Sequence, residues 1–269
     1  MSGIKQEFMM THQTTIFAML LASCAMPAGA QEIQEKPWEF EVEVGAEREP
    51  AYVGSDNYST EADIGIKATY TARNGTEWYL STGGVGVTAQ LPRDYELTLE
   101  LEYEPGRDNA DDPILTGFPE MKDTWEFQAV LVRQLGDFQL GLGVQQDILG
   151  HGKGLVGFAA AGYSRQLSDR LRFRSILDVS FANAKHMNTE VGITPAASQI
   201  TGLSGYTASG GFKSTSLQVG FDYAVSRRTE LYMDLAVERY GSAIADSPLV
   251  RDHGSRTTTE VGAGMRFRF

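Results

Sequence analysis

Several short stretches of the 269-residue chain bring chemically capable side chains together. In GHGKG, His151 and Lys153 sit among glycines, the surroundings of a phosphate cradle. The G-x-x-x-x-G-K-[ST] spacing is missing and no helix follows, so the expectation is a tight hairpin. Ser247, Asp252 and His253 share one segment and have the residue types of a hydrolase. Catalysis needs nucleophile, base and orienting group within hydrogen-bond reach, and nothing in this spacing fixes that geometry. In DNADD, Asp108, Asp111 and Asp112 offer the hard oxygen ligands that Ca²⁺ takes, but without a 12-residue EF-hand loop they read as a solvated acidic loop. His151, His186 and His253 have no paired metal-ligand spacing, and the single cysteine is Cys24. No metal, no cofactor and no catalytic residue is expected, and the chain reads as a non-enzyme.

The carboxylates are more informative because of where they recur. In DYELTLELEYE, Tyr95, Leu97, Leu99, Leu101 and Tyr103 alternate with Glu96, Thr98, Glu100, Glu102 and Glu104. WEFEVEVGAE does the same with Glu39, Glu41 and Glu43, and the last residues repeat it, with Met265, Phe267 and Phe269 on one face and Arg266 and Arg268 on the other. Successive strand side chains point to opposite faces, so each window is a strand with one apolar and one polar side. If the apolar side meets lipid, Glu39, Glu41, Glu43, Glu96, Glu100, Glu102, Glu104, Glu126, Asp178, Asp222, Asp234 and Glu238 point into a lumen. Lys67, Arg172, Arg174, Arg266 and Arg268 are the cations in the same phase. Two outcomes stay open: hydrated carboxylates forming a cation-favouring lumen, or arginines pairing with them to close it.

The elements that must hold these residues are long. Similar windows cover 63–70, 124–133, 138–147, 171–181, 216–225 and 230–240, with an ambiguous phase in the Gly- and Ala-rich 155–167. Strands of soluble sheets cluster near 5–6 residues, whereas about 9–11 are needed to cross a bilayer core at a tilt. Trp38, Tyr70, Trp78, Tyr95, Tyr103, Trp125 and Tyr240 fall at window ends, where interfacial girdles lie. Short connectors such as LGD, LSDR and SRRT alternate with long polar ones at 105–121, 182–213 and 241–255, as in outer-membrane barrels. The reading is therefore an all-β, transmembrane antiparallel β-barrel. The windows number about eleven, and both termini on one side require an even count. In TEWYLSTGGVGVTAQL the apolar phase jumps at Gly83-Gly84; a bulge there is one reading, and a tight turn, giving twelve strands, is the other. Ten strands is the alternative.

Residues 1–30 read as a signal peptide, with the apolar TTIFAMLLASCAMPAGA ending in an A-x-A site and a mature start at Gln31; residues 31–269 form the barrel. Cys24 in LASC offers a lipoprotein site as the alternative. The net charge of −12 leaves no basic patch for a nucleic acid.

PAYVGSDNY at 50–58, PGRDNADD at 105–112, QDILGHGKG at 146–154, VGITPAAS at 191–198, GLSGYTASGGFKS at 202–214 and SAIADSPLVRD at 242–252, in this order and spacing, resemble the MipA/OmpV family of outer-membrane proteins. The resemblance spans nearly the whole mature chain. It implies localisation to the cell outer membrane in contact with outer-membrane lipid. It also implies a scaffold that binds a murein lytic transglycosylase and links it to a peptidoglycan synthase; other members are porin-like or adhesive. Met265, Phe267 and Phe269 then resemble the C-terminal signal read by the barrel-assembly machinery.

Overall fold

The computed structural model describes residues 37–269. The expected leader, the start at Gln31 and Cys24 lie outside the described residues. Twelve antiparallel strands close into a barrel in which each strand pairs with its chain neighbours and β1 pairs with β12. They are β1 (Trp38–Pro50), β2 (Tyr58–Thr71), β3 (Glu77–Ser81), β4 (Gly84–Leu91), β5 (Tyr95–Glu104), β6 (Thr124–Leu135), β7 (Phe138–Asp147), β8 (Leu155–Gln166), β9 (Leu171–Ala182), β10 (Gly211–Ala224), β11 (Thr229–Tyr240) and β12 (Thr257–Arg268). The phase jump at Gly83-Gly84 is a tight turn: Thr82 and Gly83 alone separate β3 from β4, which restores the even strand count.

The barrel is apolar outside and polar inside. Leu80 is 64% exposed and Leu142 62%, while Glu126 is 2% and Gln128 0%. In water that arrangement is unfavourable; in a bilayer the outward Phe40, Val44, Ile64, Leu101, Leu177 and Leu235 face hydrocarbon, and the closed ladder satisfies the backbone. Aromatic contacts mark the two edges of this band. Phe138–Tyr163, Tyr163–Phe173 and Phe173–Phe221 form a run with ring centroids 4.9, 6.3 and 5.4 Å apart at the end carrying the termini. Tyr103–Trp125 and Phe181–Phe212 sit at the other. Tyr240, expected in a girdle, points inward instead: it shares the phase of Tyr232 and Glu238 on β11, is 4% exposed and shares a hydrogen bond with Thr258 at 3.1 Å.

At the terminal end the connections are short: 72–76, 92–94, 136–137, 167–170 and 225–228. At the opposite end the longer connections fold into a cap that includes α1 (Ala184–Val191), α2 (Pro195–Thr201), α3 (Ser242–Ala245) and α4 (Pro248–His253). Asn183 and Thr194 cap α1 and α2 by accepting from the backbone N–H of His186 and Ala197. Two apolar clusters hold the cap together. One joins Met187, Val191, Ile244 and Val250 to Val156, Ala182 and Tyr240 at the strand ends. The other joins Tyr52, Leu115, Phe118, Ile193, Leu203 and Leu249 from four different connections. Leu115, Met187, Val191, Ile244 and Leu249 are completely buried, so the cap is a small folded layer with its own core.

Candidate functional site

The lumen-facing carboxylates divide between two walls. On β10, β11 and β1, Asp222, Asp234, Glu230, Glu41 and Glu43 meet arginines of β9 and β12. Arg174 spans Asp222 (Nε to Oδ2, 2.6 Å) and Asp234 (Nη2 to Oδ1, 3.0 Å). Arg266 holds Glu43 at 2.9 Å and Glu230 at 3.0 Å, and Arg268 holds Glu41 at 2.9 Å. These pairs follow from the register, which sets Glu43 opposite Arg266 and Glu41 opposite Arg268 across the closing seam.

On β5 and β6 the bonding is of another kind. The Tyr79 hydroxyl donates to Glu100 at 2.9 Å, the Gln128 amide donates to Glu102 at 3.3 Å, and the Gln90 amide donates to Glu96. Glu126 lies opposite Glu102 in the ladder and Asp147 lies opposite Glu126. Lys67 stacks 4.3 Å above the Tyr79 ring, on the side of this wall. Arginine pairing, one of the two arrangements left open by the sequence, is thus present on the first wall, while the second wall bonds its carboxylates through neutral hydroxyl and amide donors. A third surface was not expected. Val130, Val132, Phe158, Ala160 and Ile176 face inward and form an apolar patch. Phe158 lies over Gly143, where an added Cβ would come within 2.1 Å of the ring.

Beneath the cap lies a cavity of about 170 Å³. Glu49, Glu104, Asp111, Glu190, Glu238 and Glu260 line it, with Arg107, Lys153 and Lys213 as its cations. Lys153 is buried; its ammonium donates to Glu104 at 2.8 Å and to the Pro105 carbonyl at 2.7 Å. The preceding turn is wound around Asp147. Oδ1 accepts from the N–H groups of Leu149 (3.1 Å) and Gly150 (2.8 Å) and from Thr124 Oγ1 (2.6 Å), and Oδ2 accepts from the Gly152 N–H (2.9 Å). The glycine-rich stretch is therefore a hairpin folded on a carboxylate, and Lys153 is aimed at a glutamate. His186, completely buried on α1, bonds through Nδ1 to the Lys153 carbonyl at 2.7 Å.

Electrostatics in the cap follow the same crowding. Burial alone would raise the Glu190 carboxyl, but His186, Lys153, Arg107 and Lys213 carry it below its ordinary value. Burial lowers Arg107 against the opposing pull of Glu190 and Asp111. Burial, and next Asp112, push the Tyr52 hydroxyl up to about 12.

The other chemically suggestive residues do not converge. Ser247 donates to the Val191 carbonyl at 2.7 Å, Asp252 pairs with Arg251 at 2.7 Å, and His253 is exposed while its carbonyl accepts from Tyr52 at 2.8 Å. The DNADD aspartates stitch their own loop: Asp108 accepts from Ala110 N–H, Asp111 from Asp108 N–H, and Asp112 from Ile114 N–H and Asn57 Nδ2. Among the described residues no group of His, Cys, Asp and Glu is placed to hold a metal ion. Met265 and Phe267 pair with Val44 and Val42 of β1, and the Phe269 N–H donates to the Phe40 carbonyl at 2.9 Å, so the terminal aromatics complete the closing seam on its apolar side.

A family model described as MltA-interacting protein MipA matches residues 42–269. Among solved structures, an outer-membrane channel of Pseudomonas putida F1 aligns with a TM-score of 0.53 at 11% identity, over 91% of this chain and 100% of that one. The NanC porin aligns at 0.44 and 11%, over 85% of this chain and 98% of its own. OmpT of Vibrio cholerae aligns at 0.34 and 9%, over 89% and 100%. At these identities the likeness is one of fold. A search of curated protein sequences finds no match.

Proposed function

The chain belongs to the family of MltA-interacting proteins, MipA, and on that premise we propose that this outer-membrane barrel is a non-enzymatic anchor whose working face is the periplasmic one. It recruits a murein lytic transglycosylase there and links it to a peptidoglycan synthase. The observation that carries this reading is the cap. Its buried core covers one mouth of the barrel and leaves the opposite rim as the open protein surface. That rim is rich in exposed arginine: Arg73, Arg93, Arg170, Arg227 and Arg228 stand on its turns. Arginine is favoured at protein interfaces because its planar fork pairs bidentately with carboxylates. The turns are short, so the surface they offer is flat and suits a transient partner with an acidic face.

Cross-linking in intact envelopes, followed by co-purification, tests the reading. Recovery of a murein transglycosylase from the wild type, and its loss on combining Arg73→Glu, Arg227→Glu and Arg228→Glu in a barrel that still assembles, is the expected result. Recovery of no murein enzyme from the wild type refutes it.

The wall of Glu96, Glu100, Glu102 and Glu126 favours a second reading, a narrow cation-preferring path along β5 and β6. Planar-bilayer recording checks it: cation-selective steps that shrink in Glu100→Gln/Glu102→Gln would establish a pore, and a folded, silent barrel would leave recruitment alone.

A further inference from the structure

The barrel wall is incomplete at its capped end. The tip of the β3–β4 hairpin reaches only Ile66 on one side and Tyr103 on the other. The Thr82 N–H donates to the Ile66 carbonyl at 3.0 Å, and the Tyr103 N–H donates to the Gly83 carbonyl at 2.7 Å. β2 runs on past this level to Tyr58, paired only with β1. Backbone groups along an antiparallel strand point alternately to its two neighbours. Since Ile66 points toward β3, Ile64, Ala62 and Thr60 turn their N–H and C=O groups into the gap, and no backbone bond to another described residue engages them there. Ile64 and Ala62 lie level with Val44 and Ala46, exposed on the lipid side. Bare peptide groups at that depth are costly unless water or a ligand reaches them.

Behind the gap is the cavity under the cap. Its lining includes Ala51, Tyr52 and Val53 of the connection that leads from β1 into β2, and Glu104, Pro105 and Gly106 at the end of β5, so the cavity touches the connections that flank the missing wall, though not β2 itself. The 2.6 Å hydrogen bond from Asn57 to Asp112 crosses above, tying the two bordering connections together as a lintel.

We propose that the gap between β2 and β5 is a lateral portal through which the cavity takes up the head group of an ammonium-bearing, single-chain amphiphile from the outer leaflet. Charge selects the head, because Glu49, Glu104, Asp111, Glu190 and Glu238 outnumber Arg107, Lys153 and Lys213 in the lining. Volume limits it, because about 170 Å³ has room for roughly five or six waters and so for a small quaternary ammonium. The alkyl chain stays at the level of Ile64 and Ala62, against the outer face of β2. The hydrated portal supplies the partners that the backbone of Thr60, Ala62 and Ile64 requires. This inference is independent of periplasmic recruitment.

The test uses isotope-labelled full chain in lipid nanodiscs, titrated with octyltrimethylammonium or octyl sulfate and read by amide shifts and hydrogen exchange. Before ligand is added, the amides of Thr60, Ala62 and Ile64 exchange much faster than those of Ser59, Glu61 and Asp63, which face β1. Octyltrimethylammonium shifts and protects the fast set, and octyl sulfate does not. Combining Glu49→Gln with Glu238→Gln weakens the ammonium response roughly tenfold while the exchange pattern of the empty portal persists. Equal protection of the two amide sets before titration would show the wall to be closed. Equal responses to the two amphiphiles would show partition into the bilayer alone; either result overturns the proposal.

Discussion

Asp147 is one residue on which the cap and the cavity both depend, and its replacement gives a graded prediction. Its carboxylate accepts four hydrogen bonds, three of them from backbone N–H groups of the turn that delivers Lys153 to Glu104. Hydrogen bonds to a charged acceptor contribute about 1.5–3 kcal/mol each when buried. The turn lies at the rim, where water replaces part of the loss, so about 1 kcal/mol per bond is the appropriate scale. Asp147→Ala therefore destabilises the closed turn by about 3–4 kcal/mol. Asp147→Asn, with its carbonyl in the place of Oδ1, keeps the bonds from Leu149, Gly150 and Thr124 and loses the one from Gly152, costing about 1–1.5 kcal/mol. Lys153 is 6% exposed in the closed turn, so trypsin cuts after it only when the turn opens. With opening fast relative to cleavage, the rate follows the open population. Mass-spectrometric timing of that one cleavage should show a rise of roughly 100-fold or more for the alanine variant and about 10-fold for asparagine. An alanine variant as resistant as the wild type, or an asparagine variant as labile as alanine, would refute the reasoning.

Arg174→Met strands Asp222 and Asp234 side by side in the lumen and should cost about 3–5 kcal/mol in urea unfolding; adding Asp222→Asn should recover part of that loss. Gly143→Ala pushes a methyl into the Phe158 ring and should cost about 1–3 kcal/mol in the same assay, with Gly143→Ala/Phe158→Leu closer to wild type. Arg93 and Asp94 hold φ of 67° and 61° in the β4–β5 turn; Asp94→Gly relieves a left-handed side chain and should gain up to about 1 kcal/mol, read as a raised urea midpoint. Asp123, held below its ordinary value first by the Gly106 N–H and then by the Tyr103 hydroxyl, gives a pH dependence. Its depressed folded value means that its stabilisation is complete above the ordinary 3.8 and is lost as the pH falls below that. The Gly106 amide should lose protection in that acid range, and Asp123→Asn should remove the titration.

The strands were legible because a lipid-facing wall imposes period two over windows long enough to cross a bilayer. The alternation of β5 and β12 could be read directly, whereas the defect at Gly83-Gly84 fits a bulge as well as a turn until the pairing of β3 with β4 decides for the turn. β8 was not legible. Its run of Gly and Ala offers lipid and lumen faces of similar polarity, so Phe158 gave no phase until Gly143 opposite it made room. Tyr240 was misplaced because an aromatic residue at a strand end suits a girdle and a cap core equally well; only the cap residues packed around it settle the direction. The glutamates of β5 and the arginines of β12 could be placed in the lumen from phase, but not matched. Pairing depends on which strands are neighbours after closure, and that brings Glu43 to Arg266 from opposite ends of the sequence.

Closure also explains why the long connections could be seen as loops but not as a folded cap. Leu115, Met187, Ile244 and Leu249 lie on three connections separated by whole hairpins, and none of those stretches is apolar enough to have a core of its own. The barrel supplies the missing condition by fixing the strand ends in a ring, so that Tyr52 and Leu115 meet over the lumen without the loop-closure entropy that free segments would lose. The same ring leaves the short β3–β4 hairpin as its weak place. A folded cap over the mouth and a wall that stops short beside it follow from one architecture, in which the connections at one rim are long and this single hairpin fails to reach them.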